Sequence, residues 1–318
     1  MTHQRRAWAT GWRLVLVLLW LCAATGARAT TPPTVVVVSS DTGLAYTEAA
    51  DALVRGLVRP RLPEIQVQRM TVAEFSATRP PTPQLYVALG AQAALVLARA
   101  QPTVPVLCTL LPRQAFERAL EQGGFKASRQ FSALLLDQPL SRQLALVRLA
   151  LPGAKRLGVL WGPESKALAP AMASLATAQG LQLLQADWVA GKPVFSGVRQ
   201  VLESADVLLA LPDPEVFNTH TVQHLLLASF RARVPMVAFS PAYVRAGALL
   251  AVYVTPAQLG EQAAEVAQGV LQGKDLPAQP IHSRRFSVQV NDHVARALGL
   301  SLDADELSHQ LRQREGRP

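Results

Sequence analysis

Short β-branched or leucine-rich runs alternate, twice over, with longer stretches of helical apolar period, and this alternation limits the fold more than any other feature. The first run, Thr34-Val35-Val36-Val37-Val38, has no polar alternation, as a strand buried on both faces requires. It ends in the polar turn Ser39-Ser40-Asp41-Thr42-Gly43, and a helix is expected over 46–58. Strands follow at 64–70, 84–89 and 104–109, helices at 91–101 and 113–122, with Pro80-Pro81-Thr82-Pro83 as a stiff loop. After a strand at 131–136 the pattern restarts with Arg156-Leu157-Gly158-Val159-Leu160-Trp161, the turn Gly162-Pro163-Glu164-Ser165 and a helix at 166–179. Strands at 181–189, 206–211 and 235–240 then interleave with helices at 193–203 and 218–233. Such alternation predicts parallel sheets with crossover helices. The fold class expected is α/β, two doubly wound parallel-sheet lobes of ~100–120 residues each, within the usual domain range.

What remains is too small for a third domain: a strand at 248–253, a helix at 257–272 and a strand–helix piece over 284–299. These pieces complete the two lobes by crossing between them, with crossings expected near 131–137, 248–255 and 282–288. Lobe 1 is then 33–135 plus 254–281, lobe 2 is 136–253 plus 282–302, and 303–318 is a C-terminal tail. Several crossings make a hinge, and the cleft between lobes is where a ligand sits.

The first 29 residues read as a secretory signal peptide. Arg5, Arg6 and Arg13 precede the apolar run Leu14 to Ala24, and Ala27-Arg28-Ala29 offers small residues at the cleavage site, so Thr30 is the expected mature start. A run of about 11 residues is too short to span a bilayer core, which needs ~20. Leu19-Trp20-Leu21-Cys22 matches a lipoprotein box only loosely, because Leu21 is not small, and the residues around Arg5-Arg6 fit a twin-arginine signal poorly. Cleavage lowers the formal charge from +9 to +5 and removes Cys22, so Cys108 is left without a disulfide partner. The remaining basic residues form no stripe of the kind nucleic acid requires. The expected location is the periplasm.

Several stretches resemble a known family. Phe239-Ser240-Pro241-Ala242-Tyr243-Val244-Arg245-Ala246-Gly247-Ala248-Leu249 resembles its segment before the second crossing. Gln258-Leu259-Gly260 through Ala263-Ala264, with Leu271-Gln272-Gly273-Lys274, resembles its long helix and helix stop. Val288-Gln289-Val290-Asn291 followed by Ala295 to Leu300 resembles its closing strand and helix, and Leu144 to Gly158 the approach to its second lobe. The family is the ABC transporter substrate-binding protein group with the type I periplasmic-binding fold, whose better-known members take up tryptophan or tyrosine. The resemblance implies a bilobal binder, without catalysis or cofactor, that holds a small solute, an amino acid or small carboxylate, between its lobes. It also implies an ABC permease as partner or, in a sensing role, a membrane sensor kinase; a monomer is expected. The chain departs from relatives at Gly90-Ala91-Gln92-Ala93, where many have a Gly-Thr-Pro-Ala type turn, and at Thr109-Leu110-Leu111-Pro112, where many have Asp-Pro.

In doubly wound sheets ligands sit beyond the carboxyl ends of the strands. That rule nominates Ser39, Ser40, Asp41, Thr42, Gly90, Ala91 and Thr109 from the first lobe. From the second it nominates Trp161, Gly162, Asp213, Asn218, Thr219, Ser240 and Tyr243. Helix N-termini at 91, 165 and 218 would present N–H groups to a carboxylate. Each nomination has a plainer alternative. Ser39, Ser40, Thr42 and Asn218 are equally suited to cap a turn or helix. Asp213, between Pro212 and Pro214, either pairs with a ligand ammonium or sits in a solvated turn, and Tyr243 either lines the cleft or packs at the hinge. His220 and His224 have metal spacing, but Thr221 replaces the glutamate of a zinc protease and no third ligand is evident. No nucleophile elbow or phosphate loop is present, and a cysteine racemase needs two cysteines where the mature chain has one.

Overall fold

The structure is a computed structural model and describes residues 34–58, 64–78, 82–188 and 195–316. The expected signal peptide and Pro80 and Pro81 of the Pro80–Pro83 loop lie outside the described residues. The first half builds β1 (Thr34–Ser39), α1 (Leu44–Leu57), β2 (Gln66–Thr71), α2 (Val72–Ala77), β3 (Leu85–Leu89), α3 (Ala91–Ala100), β4 (Val106–Thr109), α4 (Arg113–Gly123) and β5 (Phe131–Leu135). After α5 (Leu140–Ala150) come β6 (Arg156–Trp161), a short 3-10 turn at Lys166–Leu168, α6 (Ala169–Ala178), β7 (Gln182–Asp187), α7 (Phe195–Leu202) and β8 (Val207–Leu209). α8 (Val222–Arg231), β9 (Met236–Ala238), α9 (Pro241–Ala246) and β10 (Leu250–Tyr253) close the repeat. The chain ends in α10 (Pro256–Leu271), β11 (Ile281–His282), β12 (Ser287–Val290), α11 (Asp292–Ala297) and α12 (Ala304–Glu315).

These strands form two six-stranded sheets, ordered β11-β5-β4-β3-β1-β2 and β12-β10-β9-β8-β6-β7. Every pairing in the first sheet is parallel, and in the second only β12 runs antiparallel, against β10. The run of valines in β1 is explained by its place between β2 and β3, with helices on both faces. Val35 and Val37 pack towards α1 and α10, while Val36 and Val38 pack towards α3 and α4. The strand order reverses between β1 and β3 and again between β6 and β8, so each sheet has a switch point where a crevice opens at the carboxyl ends.

The chain passes between sheets at 136–139, 254–255 and 283–286, where crossings had been expected near 131–137, 248–255 and 282–288; the first begins only after β5 ends at Leu135. Helix α10 begins at the second passage for a local reason. Thr255 Oγ1 accepts the Gln258 N–H at 3.2 Å, Gln258 Oε1 accepts the Thr255 N–H at 3.0 Å, and Pro256 occupies the first turn. The helix then packs on α1 through small residues. A Cβ on Gly260 would lie 2.2 Å from the Ala49 carbonyl oxygen, and one on Gly56 would lie 2.4 Å from the Ala264 Cβ. Only glycine permits that approach.

Residues 303–318 were expected as a tail, but they hold helix α12, which packs on α5 and β12. Leu307 and Leu311, four apart, are buried in the core of the second sheet, and the Asp303 side chain caps the helix by accepting the Glu306 N–H at 2.7 Å. Its many charges lie on the other face, which hid the apolar pair in the sequence. No helix of the described residues is long and apolar enough to cross a membrane.

Candidate functional site

At the first switch point the nominated residues are largely engaged with each other. Ser40 Oγ accepts the Ala93 N–H at 2.9 Å, tying the exit of β1 to the first turn of α3. Asp41 is exposed, and its Oδ1 accepts the Thr42 and Gly43 N–H groups at 2.6 and 2.9 Å, an Asx turn ahead of α1. Ser39, half-buried, lines a groove with Tyr46, Arg69 and Glu74. Gly90, with φ 88°, donates its N–H to the Thr109 carbonyl at 2.9 Å and precedes Ala91, the first residue of α3. Thr109 is fully buried, and its Oγ1 has no hydrogen-bond partner among the described residues.

At the second switch point the expectation for Asp213 is overturned. Asp213 is 2% exposed, not a solvated loop residue. Its Oδ2 accepts the Glu164 N–H (3.0 Å), the Ser165 N–H (2.8 Å) and the Ser165 Oγ–H (2.8 Å), and Oδ1 accepts the Glu215 N–H at 3.2 Å. The carboxylate is consumed in joining the β8 exit to the β6 exit, and a ligand ammonium would have to displace these bonds. Gly162 makes room for it, since a Cβ there would lie 2.4 Å from the Asp213 carboxylate. Asn218 is also used locally. Its Oδ1 accepts the His220 and Thr221 N–H groups at 2.9 and 3.2 Å, and its Nδ2 donates to the Pro214 carbonyl at 2.8 Å. Helix α8 starts at Val222, so the helix N-terminus expected at 218 is a turn. The one expected at 165 is likewise a 3-10 turn ahead of α6.

Trp161 is buried, with Nε1 donating to Gln185 Oε1 at 2.8 Å. Ser240 precedes α9 without a side-chain cap bond. Tyr243 packs on Phe239 and Phe217, ring centroids 4.8 and 6.3 Å away, and burial pushes its phenol up to about 12. Burial also pushes the Cys108 thiol up. His224 Nδ1 lies 3.2 Å from the His220 carbonyl, and among the described residues no group of three His, Cys, Asp or Glu is placed to hold a metal.

The two halves meet on one flank. Arg118 Nη1 on α4 lies 2.5 Å from Glu164 Oε1 in the turn after β6, and Gln114 Nε2 donates to the Glu164 carbonyl at 3.4 Å. The turn held by Asp213 is therefore the one that reaches across. Beside this contact is a small pocket of about 80 Å³, lined by Arg113 and Gln114 from the first half and Leu168, Leu211 and Pro212 from the second. Its hinge end is formed by Asp137, Gln138, Gln143 and His282. None of the nominated residues lines it.

The hinge end is densely bonded. Asp137 Oδ2 accepts the Arg113 N–H at 2.5 Å; burial raises the Asp137 carboxyl above its usual range, opposed by that N–H and by the charges of His282 and Arg113. His282 Nδ1 lies 2.9 Å from the Asp137 carbonyl, which only accepts, so the imidazole proton sits on Nδ1. Arg142, 5% exposed, pairs with Glu315 through Nε (2.5 Å) and Nη2 (2.8 Å). It also donates from Nη1 to Gln138 Oε1 (2.7 Å) and the Ser283 carbonyl (3.0 Å), with its guanidinium 4.3 Å from the Phe286 ring centroid. One buried arginine thus binds the first passage, the third passage and the last helix together. The only sequence signal for this end was a glutamine pair and a lone histidine at the crossings.

A sequence model of the family described as ABC transporter substrate binding protein matches residues 70–310. The chain belongs to that family. Among solved structures it is similar to a ligand-free, open substrate-binding protein with adhesive properties from Clostridium difficile (TM-score 0.68, 18% identity, 86% of this chain and 97% of that one). It is also similar to an ABC domain in complex with L-Trp from Streptococcus pneumonia (TM-score 0.58, 16% identity, 87% and 98% covered). At these identities the likeness is one of fold. A tyrosine-binding protein of Clostridioides difficile is 22% identical over 233 residues, 71% of this chain and 66% of that protein, just under two thirds of its length. The family members' bilobal α/β architecture is the one described above.

Proposed function

We propose that this substrate-binding protein is exported to the periplasm, captures a small solute of amino-acid or small-carboxylate size between its two sheets, and presents it to an ABC permease. The observation that carries the reading is the pocket beside the Arg118–Glu164 contact, to which both sheets and the crossing segments contribute. The tyrosine-binding relative and the L-Trp complex support amino-acid chemistry. Ser39, Ser40, Asp41, Gly90, Ala91 and Thr109 would approach the solute from the first sheet on closure, and Ser240 and Tyr243 from the second. Binding favours a closed state only through contacts made better there than in the open one.

Isothermal titration of the chain from Thr30 against an amino-acid and small-acid panel tests this. Saturable one-to-one binding is expected, lost on Leu168→Arg, which brings a charge into the pocket from its partly exposed side. Absence of binding by every member of the panel refutes the assignment.

A further inference from the structure

Two glutamines at the hinge end of the pocket carry atoms whose polarity is fixed by their other bonds. Gln138 Oε1 accepts from Arg142 Nη1, and a guanidinium only donates, so the Gln138 amide is oriented with Nε2 away from Arg142. Gln143 Nε2 donates to the Gln138 carbonyl at 2.9 Å, and a carbonyl only accepts, which leaves Gln143 Oε1 on the other side. Both residues are more than nine-tenths buried, with 7% and 5% exposure, and both line the pocket. Gln138 Nε2 and Gln143 Oε1 have no hydrogen-bond partner among the described residues. A buried donor and a buried acceptor left unmade are each unfavourable; both atoms have almost no accessible surface here, so a group in the pocket satisfies them once these two side chains shift slightly to admit it.

We infer that the hinge end of the pocket is a subsite for a primary carboxamide, its carbonyl accepting from Gln138 Nε2 and its NH₂ donating to Gln143 Oε1. A carboxylate would set oxygen against Gln143 Oε1, and an ammonium would set N–H against Gln138 Nε2. An ion there would also need a partner, and the two titratable side chains at this end are already engaged, Asp137 with the Arg113 N–H and His282 Nδ1 with the Asp137 carbonyl. Arg142, itself clamped by Glu315, is the positioning residue that fixes which way the Gln138 amide faces. The inference rests on the reading of this pocket as the solute site and adds the chemistry of the part of the solute that enters it.

The test is nuclear magnetic resonance of the ¹⁵N-labelled chain, following the side-chain NH₂ signals of Gln138 and Gln143 during titration with propionamide, propionate or propylammonium. The Gln138 signals are assigned by their loss in Gln138→Met. Propionamide is expected to move both NH₂ pairs saturably, with propionate and propylammonium at least about tenfold weaker, the equivalent of one lost hydrogen bond. Failure of propionamide to move them, or equal shifts with propionate, overturns the subsite. In Gln138→Met the Gln143 response to propionamide should vanish while the protein stays folded; the melting temperature falls modestly, because Arg142 Nη1 keeps the Ser283 carbonyl but loses Gln138 Oε1. A retained response there overturns the proposal equally. The wider reading fails separately: a panel without any amino-acid or small-acid binder, alongside a propionamide response, refutes the solute class and leaves the subsite standing. Tight binding of a panel member without a propionamide response does the reverse.

Discussion

Replacing Asp213 by alanine should unfold the protein earlier, not merely weaken a ligand. The change strands four donors, the N–H groups of Glu164, Ser165 and Glu215 and the hydroxyl of Ser165. Water can reach some of them, but Ser165 is fully buried, so its N–H loses its partner outright and its hydroxyl is left with the Gly162 carbonyl at 3.4 Å. A buried donor left unmade costs ~1–3 kcal/mol, which gives ~2–6 kcal/mol for the pair with a smaller contribution from the rest. For a chain of this size, an unfolding entropy of ~2.1 cal/mol/K per residue turns that into a fall of about 3–10 °C in melting temperature. Circular dichroism melts of the ligand-free protein measure it, and Asp213→Asn, which keeps one acceptor oxygen, should fall less. The Arg118–Glu164 contact should loosen at the same time, because the turn presenting Glu164 has lost its anchor. A ligand-free Asp213→Ala protein melting within ~1–2 °C of the parent would show that the carboxylate is not the strut described.

Gly260→Ala should destabilise by ~1–3 kcal/mol, because the new Cβ would lie 2.2 Å from the Ala49 carbonyl oxygen and force α10 off α1; urea unfolding reads the shift in midpoint. The Arg156 guanidinium beside Asp206, with two backbone N–H groups, holds that carboxyl down at about 2. Its folded value is below the unfolded one, so its contribution is present above pH ~4 and disappears as pH falls towards 2; Asp206→Asn should flatten stability against pH across that window. Tyr243 works in the opposite direction. Its phenol sits at about 12, above the ~10 of an unfolded chain, so stability is full below pH 10 and lost between 10 and 12. Tyr243→Phe should therefore shift the alkaline unfolding midpoint upward, measured by tryptophan fluorescence.

The sheets were legible because their central strands are written in uninterrupted apolar residues, Val35–Val38 in one and Leu157–Leu160 in the other. Short or heavily charged elements were not. Helix α2 is a six-residue capping box at Thr71 and Glu74, and α12 shows the core only Leu307, Leu311 and the Ser308 between them. The rule that ligands lie beyond strand ends nominated residues at the carboxyl end of each sheet. It could not tell a side chain free for a ligand from one consumed in its own turn. Asp213 and Gly162 are 51 positions apart, and only the pairing of β6 with β8 brings them together. The hinge end was less visible still. His282 reaches Asp137 because the two-residue strand β11 pairs with β5, and a pairing of Ile281 and His282 with Leu134 and Leu135 leaves no periodic mark in the sequence.

The way the chain threads between the sheets also sets the order in which the molecule is able to assemble. Sheet one, begun at Thr34, lacks α10 against its β1 face until Leu271 and its edge strand until His282. Sheet two lacks β12 until Val290, and Leu307 and Leu311 until the last helix arrives. A polypeptide synthesised or threaded amino end first therefore holds two unfinished halves until nearly its last residue. Such dependence on partners distant in sequence slows folding. It also makes the final turn of α12, where Glu315 meets Arg142, the stitch that closes the whole.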